Sequence, residues 1–150
     1  MNRFFRLSPV LRARKAQEDA ARGAVNQSRA EIREAQQLVK RRSLNLVGAE
    51  APSEGTARAM VASLVARQSL AASLFDAQRM VTDAEQVERE RMAALADAAK
   101  RRRAVELMAE RHAELVRAND LRIDQAALDE LAVTSKARNV ARGLAEGSPA

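Results

Sequence analysis

The stretch VNQSRAEIREAQQLVKRRSLNLV, residues Val25 to Val47, decides the fold of this chain. Within it Val25, Ile32, Val39 and Leu46 recur every seven residues, and no glycine or proline interrupts them. A large apolar residue at every seventh position forms one stripe along a helix, which is the pattern of a coiled coil. We therefore predict a long helix that packs this stripe against a second helix.

The first helix has recognisable ends. Ser8 and Pro9 predict its start, because serine caps free backbone N–H groups and proline suits the first helical position. The next cluster of helix breakers is GAEAPSEG, residues 48–55, which indicates the turn inside the chain. Helix one is thus expected at about residues 8–47.

A second, longer helix is expected at about residues 56–142, with a frayed tail at 143–150. The predicted fold class is all-α: two long helices in an antiparallel coiled-coil hairpin that forms a single domain over residues 1–150. If the turn centres near residue 51, helix one covers helix two to about residue 95. The rest of helix two would then need another partner.

Charged residues interrupt the seven-residue frame of both helices. In helix one the interruption is Glu18. In helix two, counted in sevens from Met60 and its companion row, the interruptions are Arg67, Glu88, Arg91, Arg102 and Glu130. One hypothesis on the register pairs Glu88 and Arg91 with Arg14 and Glu18 across the hairpin.

The last third of helix two is apolar on two faces. Leu107, Leu121 and Leu128 form a second row roughly opposite the seam, with Leu131 nearby. Two interpretations fit this pattern. Helix two either folds back on itself or pairs in a different register, or it is a docking helix that inserts into another protein.

Composition limits the possible functions. The 150 residues have a net charge of +6, three phenylalanines, and no tryptophan, tyrosine or cysteine. The lack of cysteine removes disulfide and thiol chemistry, and we expect neither a transmembrane helix nor a signal peptide. Residues 1–47 carry 11 basic and 4 acidic groups. This excess indicates either a solvated helix face or contact with an acidic protein, a lipid headgroup or nucleic acid.

No catalytic constellation is recognisable, so we expect neither enzyme activity nor a cofactor. The single histidine, His112, lies at a seam position, which favours a packed side chain over a catalyst or metal ligand. The basic runs at residues 40–42 and 100–103 could contact phosphates. The stacking aromatic residues of nucleic-acid modules are absent, so nucleic acid is not an expected partner.

Two apolar residues lie off the seam in the half of the hairpin nearer the turn. Phe75 follows a seam position by one place and should point outward, and Leu44 is also off the seam. An exposed phenylalanine on a charged helix is either harmless or an anchor for a partner. We predict that Phe75 and Leu44 form such an anchor.

The two ends of the chain resemble those of the FliJ family, small coiled-coil proteins of the bacterial flagellar type III export apparatus. FRLSPVLRARKAQED, residues 5–19, is similar to the opening of family members, and LDELAVTSKAR, residues 128–138, is similar to their C-terminal segment. The resemblance implies an antiparallel two-helix coiled coil like the stalk of rotary ATPases. It also implies a soluble cytoplasmic protein on the inner side of the cell membrane.

The resemblance further implies partners and sites. The ends of the hairpin would insert into the hexameric export ATPase ring, and a patch nearer the turn would contact the cytoplasmic domain of the export gate. The protein would also handle export chaperones. Expected ATPase-binding residues are Arg6, Arg12, Arg14, Lys15, Leu121, Leu128, Leu131 and Arg138, and expected gate-binding residues are Leu44 and Phe75. A structural scaffold and a basic nucleic-acid binder are the alternatives.

Overall fold

The computed structural model describes residues 3–49 and 54–146, with side chains described through Gly143. It contains helix α1, Ser8–Gly48, and helix α2, Ala57–Glu146, and no strand within those ranges. The predicted all-α fold with a longer second helix is confirmed. Residues 50–53 of the predicted turn and 147–150 of the predicted tail lie outside the described residues.

At the start of each helix, backbone N–H groups donate hydrogen bonds to a preceding carbonyl or to a side-chain oxygen. The Ser8 N–H donates to the Phe5 carbonyl at 3.1 Å, and the Leu11 N–H donates to the Leu7 carbonyl at 2.9 Å. At the start of α2, the Ala59 N–H donates to Thr56 Oγ1 at 3.3 Å. Thr56 is thus the N-cap of α2, a position that threonine suits because its hydroxyl accepts from a free N–H group.

Contacts divide the chain into two compact units. One comprises Arg12–Arg102 and pairs most of α1 with the first half of α2. The other combines the chain through Leu11 with α2 from Arg103 onward. In each unit the α1 side and the α2 side run antiparallel.

The seam of the unit Arg12–Arg102 is narrow and lined by small side chains. Its buried apolar residues are Val25, Ala35 and Ala77, and Ser28 is fully buried at 0% exposure. Small residues let the two backbones approach closely, so apolar burial comes from a thin stripe rather than a broad core. Specific polar contacts therefore have more influence on the register than they would in a large globule.

One such contact surrounds Ser28. Arg91 Nη1 donates to Ser28 Oγ at 2.7 Å and to the Ala24 carbonyl oxygen at 3.2 Å. The Ser28 hydroxyl in turn donates to the same carbonyl at 3.2 Å. A third partner is Glu31, whose carboxylate lies 3.6 Å from Arg91 Nη1. The guanidinium thus reaches across the seam and satisfies polar groups of α1 that no apolar residue at position 91 could satisfy.

Three of the other charged interruptions, Glu18, Arg102 and Glu88, also pair across the seam. Arg102 Nε donates to buried Glu18, which also accepts from Arg22 Nη2 at 3.1 Å. Arg29 Nε donates to Glu88 at 2.9 Å. Among the described residues, no buried side-chain nitrogen or oxygen is left without a partner.

The expected partners of Glu88 and Arg91 were therefore wrong. Neither meets Arg14 or Glu18: Arg14 Nη1 instead donates to Gln17 Oε1 at 2.9 Å within α1. The reason is the register. Glu18 lies opposite Arg102, so α1 covers α2 beyond the limit near residue 95 that a turn centred at residue 51 would set.

The register also leaves the beginning of α2 without α1 beside it. Ser28 lies opposite Arg91, so Gly48, twenty residues further along α1, is level with Ala71, twenty residues back along α2. Since α2 begins at Ala57, its first fourteen residues, about 21 Å of helix, extend past the end of α1. Consistent with this, all residues from 57 to 69 except Ser63 are exposed.

A charge exchange tests the register. Arg102→Glu places a carboxylate beside Glu18, whose side chain is 10% exposed, and should lower the free energy of unfolding by roughly 2 kcal/mol. Glu18→Arg should have a similar effect. The double variant E18R/R102E restores opposite charges and should recover part of the loss in thermal or urea unfolding followed by circular dichroism. A double variant no more stable than either single variant would contradict the pairing.

Candidate partner-binding surfaces

The described part of the chain holds no group of three or more histidine, cysteine, aspartate or glutamate side chains that could bind a metal ion. Its acidic residues include Glu18, buried in the seam against Arg102, and Asp19, Glu106 and Glu110, which pair with arginines of their own helix. The described helices contain no apolar stretch of the length that a membrane span requires.

The described residues that precede α1 are attached to α2 within the unit that contains Arg103 onward. The rings of Phe5 and His112 are tilted at 50° with centroids 5.6 Å apart, and Arg3 Nη2 donates to Asp120 at 3.3 Å. Phe5 is half-buried, whereas Phe4 is 83% exposed. Phe5 is thus the aromatic residue that packs inward, and the seam position of His112 serves packing, as the sequence predicted.

The four predicted basic contact residues fall in different units. Arg6 belongs to the unit that contains the C-terminal half of α2, and Arg12, Arg14 and Lys15 belong to the unit Arg12–Arg102. Arg6, Arg12 and Lys15 are exposed and Arg14 is half-buried. Each is on the surface of its own unit, where an acidic partner could reach it.

The C-terminal segment, defined here as residues 121–143, is exposed at every position. The predicted contact residues Leu121, Leu128, Leu131 and Arg138 all lie on it, and none of these leucines packs against α1. Asp120, the last residue before it, is half-buried and pairs with Arg3. The residues that precede α1 thus shield α2 from solvent only as far as Asp120.

Apolar side chains occupy two faces of the C-terminal segment. Ile123, Val133 and Val140 continue the seam rows and are at least half exposed. Leu121 and Leu128 lie on the opposite row and are also exposed. An isolated helix with two uncovered apolar faces is poorly stabilised in water, so this segment has the properties of a helix that becomes buried in a partner.

The second predicted surface consists of Leu44 and Phe75, and together with Val47 we call it the turn-end patch. Leu44 is 71% exposed and Phe75 is 62% exposed, so both point outward as predicted. From Ser28 and Arg91, sixteen residues along each helix lead to Leu44 and Phe75, which are therefore level with each other. Val47, also exposed, is one turn beyond Leu44 on α1 and was missed by the sequence reasoning.

The structure shows a further apolar surface that the sequence pattern did not reveal. The leading stripe, defined as Met60, Val61, Leu64 and Val65, is on the part of α2 that extends past α1, and each side chain is 55–61% exposed. Met60 falls on the seven-residue frame and was expected in the seam. The sequence does contain a signal for this stripe: its apolar residues occur as pairs three to four residues apart, rather than at every seventh position.

The family model for the flagellar FliJ protein matches residues 3–141. The chain belongs to the FliJ family. It is therefore a coiled-coil protein of the flagellar export system. No curated protein and no solved structure matches the chain.

The family match covers both segments on which the resemblance was based. Residues 5–19 include Phe5, which attaches the N-terminus to α2, and residues 128–138 lie in the exposed C-terminal segment. In this FliJ-family chain the two characteristic segments thus have different surroundings. In the first, Phe5 and Glu18 pack against α2 while most other residues are exposed, whereas in the second every residue is exposed to solvent.

Removal of the Phe5 ring tests the attachment of the N-terminus. Phe5→Ala deletes the contact with His112 and should raise amide hydrogen exchange in the first turn of α1 by about fivefold, the equivalent of about 1 kcal/mol. Phe4→Ala, at a mostly exposed ring, is the matched control and should change exchange less. Equal exchange in the two variants would contradict the assignment of Phe5 as the inward residue.

Proposed function

We propose that this protein is a non-enzymatic stalk of the flagellar type III export apparatus. Its C-terminal segment inserts into the hexameric export ATPase ring and promotes assembly and activity of the ring. Its turn-end patch contacts the cytoplasmic domain of the export gate, and the protein links both to export chaperones. It acts in the cytoplasm and is held at the inner face of the membrane by these partners.

The observation that carries this proposal is the uncovered C-terminal segment. Its residues 121–143 are exposed throughout and apolar on two faces, and they belong to a chain whose family functions in flagellar export. A helix that is apolar on both faces suits a closed hole better than a flat surface, because only a surrounding partner buries both faces at once. The central opening of a ring is such a hole.

Charge supports the N-terminal part of the same contact. Arg6, Arg12 and Lys15 are exposed, and the first 47 residues carry a net basic excess. Exposed arginines and lysines favour association with an acidic surface and increase the rate of encounter. We therefore include these residues, with Arg14 and Arg138, in the proposed ATPase contact.

The turn-end patch supports the gate contact. Phe75 and Leu44 are large apolar side chains at one level of the hairpin, both mostly exposed. In the unit Arg12–Arg102 the seam is filled by other residues, so these two are not needed for packing of the hairpin. Large exposed side chains at one level are typical of the central residues of a protein–protein interface.

Two variants with opposite expected effects test the proposal. L121A/L128A/L131A should weaken binding to the export ATPase by about tenfold or more and reduce its stimulation, while gate binding is unchanged. L44A/F75A should weaken gate binding to a similar degree and leave ATPase binding unchanged. Alanine preserves helix propensity, so circular dichroism should match the parent protein in both cases. The measurement is surface-immobilised binding to each purified partner.

The oligomeric state of the free protein distinguishes a stalk from a structural scaffold. A stalk stays monomeric in analytical ultracentrifugation until the ATPase is added, whereas a scaffold self-associates through its uncovered helix. Self-association lost in L121A/L128A/L131A, with ATPase binding retained, would overturn the proposed function in favour of a scaffold. Salt-dependent binding of nucleic acid by the parent protein, in the absence of other partners, would support the remaining alternative, a basic nucleic-acid binder.

A further inference from the structure

The leading stripe has no role in the proposed contacts described so far. Met60, Val61, Leu64 and Val65 are exposed, and α1 ends level with Ala71, short of all four. At 3.6 residues per turn these four side chains span roughly 140° of the circumference of α2. They therefore form one continuous apolar face on an uncovered helix.

The same face contains Phe75. On α2 the angular position of Phe75 falls in the middle of the arc that runs from Met60 to Val65. Val61, Leu64, Gln68 and Phe75 follow one another at spacings of three, four and seven residues, which is one straight line along a helix. Phe75 and the leading stripe thus form a single outward surface on α2 about 21 Å long, interrupted by the amide of Gln68.

Basic residues border this surface on both sides. Arg67 lies at the angular edge next to Met60, and Arg58 lies at the opposite edge next to Val65; both are exposed. From Gly55 to Phe75 these two arginines are the charged residues of the sequence, and residues 35–48 of α1 add Lys40, Arg41 and Arg42 without an acidic residue. An apolar stripe with cationic edges is complementary to a helix whose apolar face has acidic edges.

We propose that the leading stripe extends the gate contact, and that its ligand is an acidic amphipathic helix in the cytoplasmic region of the export gate. This inference rests on the proposed function at Phe75 and Leu44, and it adds the class of ligand and fourteen residues of surface. The ligand helix lies along α2 from Phe75 to Val61, with its apolar residues on the stripe and its carboxylates near Arg58 and Arg67.

Other occupants fit the surface less well. A second copy of this chain would bring Arg58 and Arg67 against the same two arginines, which repel. A membrane-surface helix needs a strongly polar face opposite its apolar one. In this part of α2 the opposite face consists of small residues, Ala59, Ala62, Ser63 and Ala66. The acidic helix satisfies both the apolar stripe and its charged edges.

The binding experiment uses the full-length protein and the purified cytoplasmic domain of the export gate. V61A/L64A/V65A should weaken gate binding by about tenfold, and R58E/R67E should weaken it by roughly fivefold at low salt, with the second effect smaller at high salt. M108A/L115A, which truncates two exposed apolar side chains of α2 outside both proposed contacts, is the control and should leave gate binding unchanged.

Cross-linking identifies the ligand directly, because the chain contains no cysteine and a single introduced one is specific. In L64C a cysteine-reactive photo-cross-linker should attach to gate residues spaced three to four apart on one helix flanked by aspartate or glutamate. Attachment to a strand, or to a basic segment, would overturn the proposal.

The outcomes separate this inference from the proposed function. Gate binding lost in L44A/F75A but retained in V61A/L64A/V65A overturns the inference and leaves the turn-end patch in place. Retention in both variants overturns both. Binding of the parent protein, but not of V61A/L64A/V65A, to vesicles of phosphatidylethanolamine and phosphatidylglycerol, without an effect on the gate, assigns the stripe to the membrane and also overturns the inference.

Discussion

Arg91 reaches across the seam to Ser28, donating to its hydroxyl at 2.7 Å and to the Ala24 carbonyl at 3.2 Å. Much of what distinguishes this structure depends on this contact and on the pairing of Arg102 with Glu18. A seam filled by Val25, Ala35 and Ala77 buries little apolar surface, and a shift along it would leave apolar residues opposite other apolar residues. The paired polar groups make such a shift costly, because a charged group left unpaired in the seam is strongly destabilising. They therefore fix which residues face each other.

The register in turn decides which surfaces are available for partners. In the unit Arg12–Arg102 it places the end of α1 level with Ala71 and leaves residues 57–69 largely uncovered. In the unit that contains Arg103 onward, Asp120 is the last half-buried residue, and the C-terminal segment begins directly after it. In each unit, the pairing between the α1 side and α2 stops at a particular residue. The surface proposed for the gate or for the ATPase is the part of α2 left unpaired there.

The sequence predicted the helices and the direction of several side chains, but it did not predict the register. Seven-residue spacing of Val25, Ile32 and Val39 was sufficient for a coiled coil, and the offset of Phe75 from the frame was sufficient to place it outward. The predicted register was wrong because the turn was assumed to centre at residue 51, and because several carboxylates could have paired with Arg91. A long guanidinium side chain can also bind a hydroxyl and a backbone carbonyl, which no charge pattern indicates. The leading stripe was missed because the assumed register assigned Met60 to the seam, whereas the seam ends before it reaches Met60.

The register is tested most directly by disulfide formation between introduced cysteines, because the chain has none of its own. Ala35 and Ala84 line one groove between the helices, so A35C/A84C should form an intramolecular disulfide rapidly under mild oxidation. A hairpin with its turn centred at residue 51 would instead place Ala35 near Arg67. Rapid closure in A35C/A84C and none in A35C/R67C is the result that the structure predicts, and the reverse result would contradict it.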